Sequence, residues 1–127
     1  MTAYLLDTCV IIDYLRDRQE AVDFMRRYGT PPALSAITAA ELFAGARNSG
    51  EEHRIEALCQ RLLIHHVDLE IARLGGNYCR QYKHSHGVQI ADALIAATAR
   101  VHEARLVTRN VRHFPMLDDV VVPYRLN

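Results

Sequence analysis

The sequence predicts an α/β fold, with a short, mostly parallel, twisted sheet of about 4–5 strands covered by helices on both faces. Three observations predict it. Apolar segments of strand length alternate along the chain with amphipathic segments at helical spacing. Half of the 127 residues are hydrophobic, enough for one compact domain, residues 1–127, with a real core. Acidic residues fall directly after apolar strands or at helix starts, where open α/β folds place their chemistry.

The elements follow in order. Ala3 to Leu6 is an apolar run ending in Asp7 and reads as a buried strand with its polar payload at the C-terminal end. Thr8 is a cap for the helix that carries Val10, Ile11, Tyr14 and Leu15. A second helix, Gln19 to Tyr28, places Val22, Met25 and Tyr28 on one face; Gly29 stops it and Pro31–Pro32 prevent its continuation. Ala33 to Ile37 is the second strand. Thr38-Ala39-Ala40-Glu41 fits a capping box and opens a helix through Arg47, followed by a loop from Asn48 to Gly50. From Glu51, the spacing of Ile55, Leu58, Cys59, Leu62 and Leu63 marks another amphipathic helix. Ile64 to Val67 is a third strand, and Asp68 caps a long helix carrying Ile71, Leu74, Tyr78 and Cys79 that fades near His84 to Gly87. The alanine-rich helix with Asp92 at its head turns at Glu103–Ala104 into a strand ending at Thr108. A short turn then leads to a last strand, Val120 to Val122, closed by Pro123.

Composition excludes several classes. The longest uncharged run, Tyr28 to Ala40, contains two prolines and is too short to span a bilayer. Asp7 and Asp13 in the apolar N-terminus argue against a signal peptide. The expectation is a soluble, cytoplasmic protein without a membrane partner. Cys9, Cys59 and Cys79 are odd in number and lack CxxC spacing, which predicts buried reduced thiols, not disulfides or a zinc ribbon. Fifteen basic and fifteen acidic residues cancel, so the chain does not grip nucleic acid chiefly through excess positive charge. His65, His66, His84 and His86 lie in different segments without an i, i+4 pair and read as ordinary surface or strand histidines.

The acids carry the chemistry. In a parallel sheet the C-terminal strand ends and the helix starts that follow them share one edge. Asp7, Glu41 and Asp92 could converge there, with Thr108 and Asn110 beside them. Three anions brought together are unfavourable unless a cation joins them, and hard oxygen ligands select Mg²⁺ or Mn²⁺. Each acid also has a plainer reading. Asp7 could cap its helix, and Glu41 could be the reciprocal partner of Thr38. Asp92, flanked by Ala91, Ala93, Leu94 and Ile95, favours the functional reading, because an ionised carboxylate on an apolar face needs a partner. Arg105, Arg109 and Arg112 either line the edge to meet phosphates or form a solvated rim.

At these residues the sequence resembles the PIN-domain family, most closely its VapC-type toxin branch. The matching pieces are LLDTCVIIDYL (Leu5 to Leu15), SAITAAELFAGA (Ser35 to Ala46), IADALIAATA (Ile90 to Ala99) and LVTRNVRHF (Leu106 to Phe114), in the family's order and over nearly the whole chain. The resemblance implies a PIN-like three-layer α/β/α fold and a metal-dependent endoribonuclease, the toxin of a type II toxin–antitoxin pair. Its acids would hold Mg²⁺ or Mn²⁺: Asp7, Glu41 and Asp92 match the first three. The fourth family acid lies within the segment matching Thr108 to Phe114, which here offers Asn110, while His113 stands before the phenylalanine where many relatives have Asp or Glu. Asn110 then supplies a neutral oxygen or orients water, and Thr8 and Thr108 support the acids. Arg109 and Arg112 are the candidate RNA contacts. The implied reaction is phosphodiester hydrolysis leaving 5′-phosphate and 3′-hydroxyl ends. The implied partners are a structured RNA such as tRNA or rRNA, a cognate antitoxin that covers the acidic groove, and a second copy in a homodimer.

Other readings remain beside it. A PIN fold that has lost activity and serves as a nucleic-acid or protein binding module is compatible with the missing fourth acid. A receiver-like regulatory domain requires a late Lys, and no Lys follows Lys83. A dehalogenase-like phosphatase requires D-x-D, and Cys9 occupies the second acidic position.

Overall fold

The last two residues of β1 (Ala3–Leu6) serve opposite faces of the sheet, because side chains along a strand alternate. Leu5 joins one apolar core and Leu6 the other, both fully buried. The same alternation divides Ala33 from Leu34 on β2 (Ala33–Ser35) and Leu106 from Val107 on β4 (Ala104–Val107). Both sheet faces must therefore be covered, which makes the molecule three layers deep. These features come from a computed structural model that describes residues 3–27 and 31–126.

Helices α5 (Leu69–His86) and α6 (Ile90–Val101) cover the Leu5 face, where Ala93, Ile95, Ala96 and Ala99 pack with Phe114. On the Leu6 face lie α1 (Thr8–Leu15), α2 (Gln19–Arg26) and α4 (Ser49–Arg61), which contribute Val10, Ile11, Phe24, Ile55 and Leu58. Between the two, α3 (Ala36–Ala44) supplies Ile37 to one core and Leu42 to the other. Each fully buried Leu or Ile contributes about 1.5–3 kcal/mol.

The sheet has four parallel strands in the order β3-β2-β1-β4, with β3 at Leu63–His65. From β1 the chain works outward to β2 and β3, then crosses back to lay β4 on the other side of β1. That reversal leaves a crevice at the C-terminal ends of β1 and β4, the usual binding position in open α/β sheets. Asp7 leaves β1 at this crevice and Thr108 leaves β4 beside it, tied by the Asp7 N–H to the Val107 carbonyl at 2.9 Å. Across the top, α6 is held by α5: a Cβ at Gly75 would stand 3.2 Å from the Leu94 Cα, so only glycine lets the two helices approach this closely. That contact fixes the helix whose first turn carries Asp92.

Several boundaries differ from the sequence expectation. Asp7, not Thr8, caps α1, because its carboxylate reaches back to the Thr8 N–H. The capping box at Thr38 does not form: β2 stops at Ser35, whose hydroxyl accepts from the Ile37 N–H, so Thr38 already lies inside α3. Asn48 is not a loop residue but the cap of α4, accepting from the Glu51 N–H. β3 begins and ends earlier than Ile64 to Val67. Val120 to Val122 shrinks to one parallel bridge, Val107 with Val121. On α2 the buried residues are Ala21 and Phe24, with Val22 and Met25 only partly covered, and its expected end at Tyr28–Gly29 lies outside the described residues. The three cysteines are free as expected, but half-buried instead of buried. Among the described residues no helix is long and apolar enough to cross a membrane.

Candidate active site

Asp7 is the centre of the crevice and is only 5% exposed. Its Oδ1 accepts from the Thr8 N–H at 2.8 Å. The Thr108 hydroxyl donates to Oδ2 at 2.7 Å, and the Cys9 thiol donates to the same oxygen at 3.4 Å. These donors and the N-terminus of α1 stabilise negative charge in a place that water barely reaches. Burial first, then the charge of Asp7, pushes the Cys9 thiol up, so Cys9 stays a neutral donor. Thr108 also accepts from the Asn110 N–H at 3.0 Å, which folds the chain after β4 over the site.

Glu41 reaches the same edge from α3 and is exposed. Its Oε1 accepts from the Thr8 hydroxyl at 2.6 Å, and the buried Thr38 hydroxyl stands 3.1 Å from Thr8. Asp92 enters from the first turn of α6, with its side chain about one quarter exposed (26%). Its carboxyl is raised above the ordinary value of 3.8, mostly by burial and then by Asp7 and Glu41, with His113 opposing. The His113 Nδ1 lies 3.6 Å from Asp92 Oδ2. Among the described residues, no three acidic, histidine or cysteine side chains stand clustered at ligand spacing. Asp7, Glu41 and Asp92 are coupled through their fields, as like charges facing a common space are.

All three sequence-predicted acids therefore reach the crevice, and Thr8 and Thr108 touch two of them directly. Asn110 lies at the rim, where its backbone is bonded to Thr108. Arg112 is exposed beside it. The other two arginines are already engaged. Arg105 donates to the Asp119 carbonyl at 3.0 Å. Arg109 turns away from the acids: its Nε meets Asp13 Oδ2 at 2.6 Å, and only 28% of its side chain is exposed. An Arg closed on a buried carboxylate is a poor RNA contact, since reaching phosphate would strand Asp13. Asp13, 3% exposed, also accepts from the Tyr124 hydroxyl at 2.8 Å and has Arg18 at 3.7 Å.

Sequence reasoning missed four partners: Cys9, Thr38, Asp13 and the approach of His113 to Asp92. Asp13 carried a signal, since it follows Val10, Ile11 and Ile12 on an apolar helix, as Asp92 sits among alanines. Thr38 carried none, because its contact with Thr8 depends on how two helix starts meet. Cys9 carried none either, because its place between Asp7 and Thr108 depends on how α1 meets the end of β4. Among the histidines, His65 stacks on His102 with ring centroids 3.6 Å apart, and His66, His84 and His86 are exposed.

Beside Glu41, a cleft of 440 Å³ runs between α1, α3 and α4. Ile12, Leu42 and Ile55 floor it, and Arg16, Arg47 and Arg54 rim it.

Comparison with known proteins agrees with this architecture. Over 124 residues the chain is 41% identical to ribonuclease VapC19 of Mycobacterium tuberculosis, covering 94% of this chain and 98% of that one. It is 36% identical over 123 residues to ribonuclease VapC10 of the same organism, covering 94% and 92%. A toxin–antitoxin complex from Klebsiella pneumoniae contains a chain of the same fold, with TM-score 0.85 and 31% identity over 98% of this chain and 100% of that one. The PIN domain pattern itself matches residues 4–119. On the strength of that match and of the shared topology, the chain belongs to the PIN-domain family.

Proposed function

We propose that the chain is an endoribonuclease and the toxin of a type II toxin–antitoxin pair, hydrolysing RNA phosphodiester bonds with Mg²⁺ or Mn²⁺. The carrying observation is the convergence of Asp7, Glu41 and Asp92 on the crevice, where Asp92 is pushed up by burial and then by the other two acids. The ribonuclease relatives support the reaction and the toxin–antitoxin complex supports the partner.

The donor set fits a hard divalent ion. The donors that Asp7, Glu41 and Asp92 bring to the crevice are carboxylate oxygens, and Cys9 remains a thiol. Asp7, Glu41 and Asp92 would hold the ion. Bound there, it would supply Lewis acidity towards the phosphodiester and lower the pKa of an attacking water. The chain's own residues prepare that position. Thr108 and Cys9 orient Asp7, and Thr8 orients Glu41. Asn110 and Arg112 stand at the rim where a phosphate or water would be positioned. Hydrolysis in this arrangement leaves a 5′-phosphate and a 3′-hydroxyl.

The neutral balance of the chain suits a structured RNA, such as tRNA or rRNA, recognised by shape and a few contacts. The arginine-rimmed apolar cleft beside Glu41 is a seat for an antitoxin segment that would cover the acids. The protein acts in the cytoplasm, as a homodimer. Incubation of purified protein with RNA and Mg²⁺ or Mn²⁺ tests the reaction, with Asp7→Asn and Asp92→Asn as controls. Cleavage confined to the unsubstituted protein is expected. No cleavage by any of the three, with metal bound, would instead favour a PIN-fold binding module.

A further inference from the structure

The crevice holds one side chain that the carboxylate reading does not use. His113 ends the 3-10 turn Val111–His113, on the same excursion from β4 that sends Thr108 to Asp7. The turn is pinned on both sides of the ring: the His113 N–H donates to the Asn110 carbonyl at 3.0 Å, and the next residue, Phe114, is buried in the core. The imidazole itself is 56% exposed. It presents Nδ1 to Asp92 Oδ2 at 3.6 Å.

That separation is too long for a direct hydrogen bond, so the carboxylate is not closed by the ring as Asp13 is closed by Arg109 at 2.6 Å. A ring nitrogen and a carboxylate oxygen that approach without bonding each other can both offer lone pairs to a shared cation. We propose that His113 is a nitrogen ligand of the cation site, making with Asp7, Glu41 and Asp92 a mixed oxygen–nitrogen set that selects Mn²⁺ over Mg²⁺. The inference rests on the metal site proposed above and deepens it. The chemical reason is ligand type. Carboxylates serve Mg²⁺ and Mn²⁺ alike, whereas Mg²⁺ keeps to oxygen and an imidazole suits transition metals. The chain thus replaces a missing acid by a ligand that shifts metal preference.

Direct metal binding tests this, with tag-free protein and no RNA. Pulsed electron paramagnetic resonance of the Mn²⁺-loaded protein reads imidazole nitrogen coupling, and calorimetry reads Mn²⁺ and Mg²⁺ affinity. The expected result is a nitrogen coupling in the unsubstituted protein that disappears in His113→Gln, with Mn²⁺ bound about tenfold more weakly. Mg²⁺ affinity should change little in that variant and rise severalfold in His113→Asp. Mn²⁺ that binds without nitrogen coupling, or affinities indifferent to His113→Gln, would overturn the role of His113 alone. Absence of any Mn²⁺ binding would overturn the metal site with it.

Discussion

Two buried aspartates bracket α1, and they are treated in opposite ways. Asp13 is met by the Arg109 guanidinium at 2.6 Å and the Tyr124 hydroxyl at 2.8 Å, so its charge is cancelled where it stands. Asp7 is as deeply buried, but the donors it meets are neutral: the Thr8 N–H, the Thr108 hydroxyl and the Cys9 thiol. Around it stand further acids, close enough to raise Asp92. A buried carboxylate closed by a cation holds the structure together. One surrounded by like charge stores a repulsion that a bound cation would relieve. The sign of the neighbours, not the burial, separates the acid proposed as catalytic from the structural one.

The widest separation between the two regions should be in activity. Asp7→Asn or Asp92→Asn is expected to lower RNA cleavage about a thousandfold, roughly 4 kcal/mol of transition-state stabilisation. Circular dichroism should show both variants folded. Asp13→Asn should cut RNA within about tenfold of the unsubstituted protein once the folded fraction is corrected for; a thousandfold loss there would erase the distinction.

Next in size comes stability. Asp13→Ala leaves Arg109 without its carboxylate and should lower the unfolding free energy by about 3 kcal/mol in urea titration. A cost below about 1 kcal/mol would put this ion pair among ordinary surface bridges.

Tyr124→Phe removes one donor from Asp13 and should cost about 1–2 kcal/mol. The Tyr124 phenol is pushed well above the ordinary tyrosine range by burial, its hydrogen bond to Asp13 and the charge of Asp13. A raised pKa in the folded state means that its contribution is whole below pH 10 and is lost as pH rises towards the folded value. Alkaline difference spectra should therefore show one tyrosine that ionises late, absent from Tyr124→Phe.

The smallest effect has the opposite sign. Asp92→Asn should stabilise the metal-free protein, raising its melting temperature by about 3 °C. Ionising Asp92 costs more in the folded chain than in the unfolded one, so stability falls as pH rises from 3.8 through its raised folded value. The substitution should flatten that slope in a melting series run with chelator. An unchanged slope would mean that neither burial nor the neighbouring acids raise Asp92.

Much of this was legible along the chain, because it depends on local pattern. Short apolar runs placed β1, β2 and β4, and helical spacing placed the helices. Asp92 stood out as an acid on an apolar face. The misplaced boundaries have local causes too: two hydroxyl caps, Ser35 and Thr38, stand within one turn, and which of them is used depends on where the β2 ladder ends. Arg109 could not be read at all. Beside Thr108 it offers a phosphate contact or a clamp, and its choice of Asp13, distant in sequence, is a property of packing.

By itself, the sequence determined the α/β class, the order of the elements and the three acids offered to one edge, since periodicity and strand-end position are local quantities. Tertiary structure alone decided which charges meet. It closed Arg109 on Asp13, set Thr8 against Glu41, and brought the His113 ring to Asp92. Electrostatic partnership depends on distances of a few ångströms between elements far apart in the chain, and only folding fixes those distances.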